Sequence, residues 1–355
     1  MRPDQLRGVE TSGGSDALIV PESVAQAAAR SAENAQTGQS AAPEGAAAAA
    51  AAANEIDVLL GYSTGLAQRI GSASGAQTRM QNLVAIANEG YQNSGVVYRI
   101  RLVGTVQVAY GDNTRNDSTL HALTGSTGTG AAPIDPAFNN LRAAREQTGA
   151  DLVSFVRQFR EPEQDGCGIA WLLGGGQTNL DQSDAPFAYS VVSDGSDVNE
   201  GDNKTYFCRE ETLAHELGHS MGQTHNQEDT NGPGRHSYSY GFREASTSGF
   251  FTIMAYRIAD WSQFSIRHFA NPSVLYDGRA TGVANLSDNA RSMNETMPVV
   301  AQFRNAVISG PPVAAKAKDV NGDSLDDVIW QNAETNEHGY WLMNGPQYVG
   351  MRFFN

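Results

Sequence analysis

The sequence is short of cysteine, of basic residues and of long apolar runs, and each shortage excludes something. Two cysteines among 355 residues, Cys167 and Cys208, allow one bridge at most. Lys and Arg number 24 against 39 Asp and Glu, a net charge of −15. That balance argues against nucleic acid and anionic membrane surfaces as partners, because like charges repel. No apolar run approaches the roughly 18 residues of a membrane-crossing helix, so no membrane span is expected. Met1–Ile19 lacks the continuous apolar stretch of a secretory signal, so the chain reads as a mature or partial form of a longer precursor, or as one with a misassigned start. Gly174-Gly175-Gly176 has neither a GK[ST] nor a GxGxxG context and is no phosphate-binding loop. The length suffices for one sizeable core plus smaller pieces.

What is present is concentrated in residues 215–225, His-Glu-Leu-Gly-His-Ser-Met-Gly-Gln-Thr-His. His215 and His219 are four apart, which on a helix puts both imidazoles on one face. Two such nitrogens can converge on a zinc at about 2.0–2.1 Å. Gly222 offers the left-handed backbone at which helices commonly stop, and the turn can bring His225 back to the same metal. Three protein ligands leave a position open for water and substrate, the mark of a catalytic zinc site. Glu216, beside the site and not needed as a ligand, can take a proton from the attacking water. The plainer reading is a core helix with an apolar stripe at Leu213, Leu217 and Met221. The stripe suits packing, but it does not explain three of the seven histidines falling within eleven residues.

This stretch fits H-E-x-x-H-x-x-G-x-x-H and resembles the zinc-binding consensus of the metzincin metalloproteases, most closely the bacterial reprolysin-like (adamalysin-type) peptidases. Downstream, Thr252-Ile-Met-Ala-Tyr256 is similar to the family's Met-turn. The resemblance implies that Met254 lies beneath the imidazoles and that Tyr256 stabilises the transition state; the alternative is an ordinary buried methionine and tyrosine. Asn226 follows the third histidine where an aspartate would mark the adamalysin branch, which leaves the branch open. The resemblance further implies a secreted zinc endopeptidase acting on polypeptides. In such an enzyme Cys167 and Cys208 most simply form a disulfide, with two buried thiols as the alternative. A cysteine-switch inhibitor is not expected, because the N-terminal segment has no cysteine.

The fold class expected is α/β (α+β), a metzincin-type catalytic domain with a twisted mixed sheet. Strands are read at 55–62, Val97–Val103 and Asp151–Val156, and a helix with Met80, Leu83, Val84, Ala87 and Tyr91 on one face. On Val97–Val103, Tyr98, Ile100 and Leu102 face inward against Arg99 and Arg101. A second helix starts at Asp135-Pro136 and runs to about Thr148; a last one covers Ser292–Arg304. Gly168–Leu173 is either the sheet edge to which a substrate adds as an antiparallel strand or a short core strand. His121, His236, His268 and His338 read as surface or hydrogen-bonded histidines, with His236 the one to check near the cleft.

Three regions follow. Residues 1–53 read as a propeptide remnant and linker ending in Ala46–Ala53, and a further reading makes this segment an inhibitor that keeps an enzyme latent. Residues 54–308 are the catalytic domain. Residues 309–355 resemble part of an FG-GAP/VCBS repeat, which implies a small β-rich module. There Asp319, Asn321, Asp323 and Asp327 could wrap a calcium, although the alternative is a solvated acidic turn and Trp330 stands where an EF-hand has Glu. Such a module could bind a carbohydrate or surface ligand. The rival to a peptidase is accordingly a calcium-dependent adhesion or binding protein carrying a zinc domain without peptidase activity. Glu216 speaks against it, since ligands alone would suffice to hold a metal.

Overall fold

The computed structural model describes residues 16–19, 54–230, 232–259 and 262–307 with their side chains, and the backbone of 9–10, 328–331, 338–344 and 347–354. The chain divides into two compact units, 1–309 and 310–355.

The larger unit begins with β1 (Val9–Glu10), β2 (Ala17–Ile19) and β3 (Glu55–Ser63), followed by helices α1 (Thr64–Ile70) and α2 (Ala73–Asn93). Then come β4 (Arg99–Val108), α3 (Asn116–Thr124), α4 (Asn139–Thr148), β5 (Leu152–Gln158), β6 (Gly168–Leu172) and β7 (Tyr189–Asp194). A hairpin of β8 (Ser196–Asn199) and β9 (Lys204–Phe207) leads into α5 (Thr212–Ser220). After α5 the regular elements are short: β10 (Phe250–Phe251), β11 (Phe264–Ser265), β12 (Leu275–Tyr276) and β13 (Arg279–Ala280), closed by α6 (Asn289–Val300).

Six strands form one mixed sheet in the order β2-β6-β7-β5-β3-β4. Neighbours among β4, β3, β5 and β7 are parallel, β6 is antiparallel to β7, and β2 is parallel to β6. This is the mixed α/β sheet expected of a metzincin-type domain. Strand β3 reads as a near-continuous apolar run because both its faces are covered: Ile56, Val58, Leu59, Leu60 and Tyr62 are all buried. Helix α2 buries the expected stripe of Met80, Leu83, Val84, Ala87 and Tyr91. Ser72 caps it, accepting from Gly75 N at 3.0 Å. Tyr91 stacks on Phe269 at 5.1 Å and so joins α2 to the loops beyond α5.

Some local expectations shift. The helix read from Asp135-Pro136 starts as a 3-10 turn, with Asp135 accepting from Ala137 N at 2.9 Å, and becomes α4 at Asn139. The last helix begins earlier than Ser292, because Asp288 caps it on Arg291 N at 3.2 Å. Arg101, read as solvent-facing, is buried. It lies opposite Asp57 across the β3–β4 pair and forks onto that carboxylate at 2.7 and 2.8 Å. Alternation fails there because a bidentate pair satisfies both charges inside the layer.

Cys167 and Cys208 are disulfide-bonded, with Cα atoms 5.3 Å apart across 41 residues of sequence. The bond ties the start of β6 to the approach to α5. Closing a loop of that length is worth about 4 kcal/mol in the chain-entropy model. Cys208→Ser is therefore expected to lower the unfolding free energy by about 2–4 kcal/mol in denaturant titrations. An unchanged midpoint would show that the bridge carries no stability.

The smaller unit shows a three-stranded antiparallel sheet of β14 (Val328–Gln331), β15 (His338–Asn344) and β16 (Gln347–Phe354). Asp319, Asn321, Asp323 and Asp327 lie outside the described residues.

Candidate active site

Helix α5 is buried along its whole length. It presents His215 and His219 one turn apart, then stops after Ser220. Gly222 takes φ +80°, and a Cβ there would lie 2.8 Å from Arg235 Cβ and 3.2 Å from Leu173 O. Its N–H returns to His219 O at 2.9 Å and that of Gln223 to Gly218 O at 2.9 Å, which satisfies carbonyls at the helix end. The reversal brings His225 back. The Nε2 atoms of His215, His219 and His225 lie 3.1–3.2 Å from one another.

The other ring nitrogens explain this convergence. His215 Nδ1–H donates to Ile253 O at 2.7 Å and His219 Nδ1–H to Gln223 O at 2.8 Å. A carbonyl can only accept, so the proton sits on Nδ1 and each Nε2 turns a lone pair inward. Burial pushes His219 down to about 4 and lowers His215, which keeps both neutral near pH 7. Inward lone pairs at this spacing repel one another unless they share a cation. A tetrahedral zinc with bonds of 2.0–2.1 Å sets its ligand nitrogens about 3.3–3.4 Å apart, so the three imidazoles fit that ion. The carbonyl partners behind the rings are the outer contacts such ligands use.

Met254 is fully buried beneath this helix: a Cβ added to Gly218 would collide with Met254 Sδ. The neighbouring Ile253 supplies the carbonyl that orients His215. Two residues on, the Tyr256 hydroxyl lies 3.0 Å from His225 Nε2. Asn226 anchors this turn. Its Oδ1 accepts from Tyr256 N at 3.0 Å, while its Nδ2 donates to Glu228 at 2.8 Å and Asp229 at 2.9 Å. An aspartate could accept from Tyr256 but could not donate to those two carboxylates, which accounts for an amide at this position.

Glu216 is 1% exposed, and its Oε2 has no hydrogen-bond partner among the described residues. Burial, and then the charge of Asp16, hold its carboxyl well above the usual range. A divalent cation among the imidazoles would pull the other way. The carboxyl has room only because Gly168 faces it from the start of β6: a Cβ there would lie 2.7 Å from Glu216 Cδ and 2.8 Å from Cγ. Nothing in the local sequence marks Gly168. Gly168→Ala is expected to displace Glu216 and cut turnover about 10–10²-fold with metal content unchanged. Parent-like turnover would contradict the packing argument.

Asp16 was likewise not singled out by the sequence, yet it sits against all three histidines. Its Oδ1 is 2.7 Å from His225 Nε2 and 3.5 Å from His219 Nε2; its Oδ2 is 3.4 Å from His215 Nε2 and accepts from the Tyr256 hydroxyl. One ligand atom from each of Asp16, His215, His219 and His225 falls within 4.8 Å of the others. The only local hint is the apolar Ala17-Leu18-Ile19-Val20 that follows Asp16 in an otherwise polar and small-residue segment. Strand β2 pairs with β6, so β6 is not the sheet edge. The other described histidines lie elsewhere. His236 contacts Ser292 Oγ at 2.9 Å and Glu295 at 3.3 Å, His121 stacks on Trp171, and His268 packs against Tyr276. The His338 side chain lies outside the described residues.

The sequence model of the metallo-peptidase family M12B, Reprolysin-like, matches residues 52–288, more than half of the chain. The chain belongs to this family. A peptidyl-Asp metalloendopeptidase of Stenotrophomonas maltophilia is 26% identical over 231 residues, 64% of this chain and 48% of that protein. A peptidyl-Asp metalloendopeptidase of Pseudomonas aeruginosa is 28% identical over 275 residues, 72% of this chain and 41% of that protein. The chain thus spans less than half the length of these curated relatives. Among solved structures, one titled as a chaperone-substrate complex superposes with a TM-score of 0.50 at 19% identity, covering 71% of this chain and 35% of that one. That likeness concerns the fold alone. Among the described residues no helix is long and apolar enough to cross a membrane.

Proposed function

We propose that the chain is a secreted zinc-dependent endopeptidase that hydrolyses polypeptides with Glu216 as general base. The observation that carries this reading is the set of three Nε2 atoms at 3.1–3.2 Å with an unpartnered, buried carboxyl on the same helix. His215, His219 and His225 would hold the zinc, which when bound polarises a carbonyl and makes water acidic enough to act near neutral pH. Glu216 accepts the proton of the attacking water and delivers it to the leaving amine. The Tyr256 hydroxyl donates to the oxygen that gains charge in the transition state. With β2 withdrawn from it, strand β6 would orient an extended peptide through the backbone groups that β2 now pairs. The disulfide suits an oxidising, extracellular setting. Asp319, Asn321, Asp323 and Asp327 are proposed as a calcium loop of an FG-GAP/VCBS-like repeat in an accessory module.

The relatives' name points to a substrate class: polypeptides cut at aspartyl residues. The test is a cleavage-site profile of a peptide mixture digested to completion with the metal-loaded chain. Cuts gathered beside aspartate support the reading. Cuts without regard to aspartate remove the specificity, and intact peptides with this chain and with Asp16→Ala alike remove the peptidase.

A further inference from the structure

We propose that Asp16 is a fourth ligand of the metal in the intact chain, and that the strand carrying it blocks the cleft from within. The proposal rests on the zinc-peptidase reading of the site and names how that site is regulated.

The carboxylate is in the wrong company for an ordinary ion pair. Asp16 is buried among His215, His219 and His225, two of which spend their Nδ1 protons on backbone carbonyls. Among the described residues no aligned hydrogen bond reaches its Oδ1, although His225 Nε2 is 2.7 Å away. Only the Tyr256 hydroxyl, among the described residues, donates to its Oδ2. A buried carboxylate with one donor is costly unless a cation faces it. Three imidazole nitrogens and one carboxylate oxygen make a closed four-ligand set, the kind that leaves no position for water or substrate.

The backbone carries the same message. Strand β2 pairs with β6 in the register Ala17–Ala170, Leu18–Trp171 and Ile19–Leu172, and Ala170 N donates to Asp16 O at 2.8 Å. It takes the β6 backbone groups that an incoming peptide would need. It also runs parallel to β6, opposite to the antiparallel course expected of a substrate. What faces the histidines is thus a side-chain carboxylate and not a peptide carbonyl. The segment occupies the site without offering a scissile bond, and it engages the hydroxyl proposed to stabilise the oxyanion. Three strand residues and one ligand would bind weakly as a free peptide. Tethered to the domain, the same contacts act at a local concentration in roughly the millimolar range.

The test compares the full-length parent with Asp16→Ala and Asp16→Asn. With Co²⁺ in place of zinc, the visible absorption of both variants is expected to differ from the parent's, because an oxygen ligand has changed. On the zinc-loaded proteins, binding of acetohydroxamic acid measured by calorimetry is expected to tighten at least about tenfold in both variants, and peptide cleavage to rise by a similar factor. Asp16→Asn keeps the side-chain size, so it decides the matter if Asp16→Ala does not fold, with thermal unfolding recorded for each. Unchanged spectra together with unchanged hydroxamate affinity overturn the proposal, whatever the cleavage rates. Changed spectra and affinity with no cleavage by any of the three leave Asp16 as a ligand and remove the peptidase. Equal cleavage by all three, with unchanged spectra, removes the inhibitor and leaves the peptidase standing.

Discussion

Glu216→Gln is expected to lower peptide cleavage by about 10²–10⁴-fold while bound metal stays at the parent level. The glutamine keeps the volume of the side chain, so Gly168 still accommodates it and α5 keeps its packing. It removes only the ability to take and return a proton. The carboxyl makes no hydrogen bond through Oε2 among the described residues, so an amide there loses no partner at that atom. Stability should therefore change far less than activity. The comparison is best made in the intact chain and again in an Asp16→Ala background, where the expected rise in rate would widen the range over which a loss can be read. If Glu216→Gln cleaves as fast as its parent in both backgrounds, Glu216 is not the base.

His219→Ala is expected to remove cleavage altogether and to empty the metal site. The side chain is 0% exposed, and its Nδ1 satisfies Gln223 O at 2.8 Å in the turn that returns His225. Truncation deletes one ligand and leaves a buried carbonyl without a donor, which costs about 1–3 kcal/mol. It also loosens the turn on which His225 depends. Chelator treatment of the parent provides the matched control, because it removes the metal and leaves the turn intact. Cleavage should vanish in both, and zinc should restore it only in the chelated parent. Restoration of His219→Ala by zinc would show that the imidazole is dispensable.

The helix carrying His215 and His219 is legible in the sequence because its geometry is local. His215, His219 and Gly222 are placed by helical pitch and by one left-handed residue, and both operate within eleven positions. The buried stripe of α2 is legible for the same reason. Met254 lies further along the chain, and only the resemblance to metzincins connected it to the helix; Gly218, which admits its sulfur, carries no mark of its own. Gly168 and Asp16 are harder still. Each matters through what a distant element needs, room for a carboxyl in one case and a partner for β6 in the other. Neither need leaves a periodic trace. Arg101 misleads alternation because Asp57, its partner across the sheet, is invisible along a single strand. Composition reads residues 1–53 as a propeptide remnant and linker, and within them a run as short as Ala17–Ile19 adds a strand to β6.

On the reading proposed above, His215, His219 and His225 hold one metal ion on which Glu216 acts without being a ligand. Zinc content per chain, measured side by side on the purified parent, Glu216→Gln and His219→Ala, tests it most directly. About one zinc is expected in the first two and less than about a tenth in the third. Equal zinc in all three, or none in the parent after loading, would contradict it.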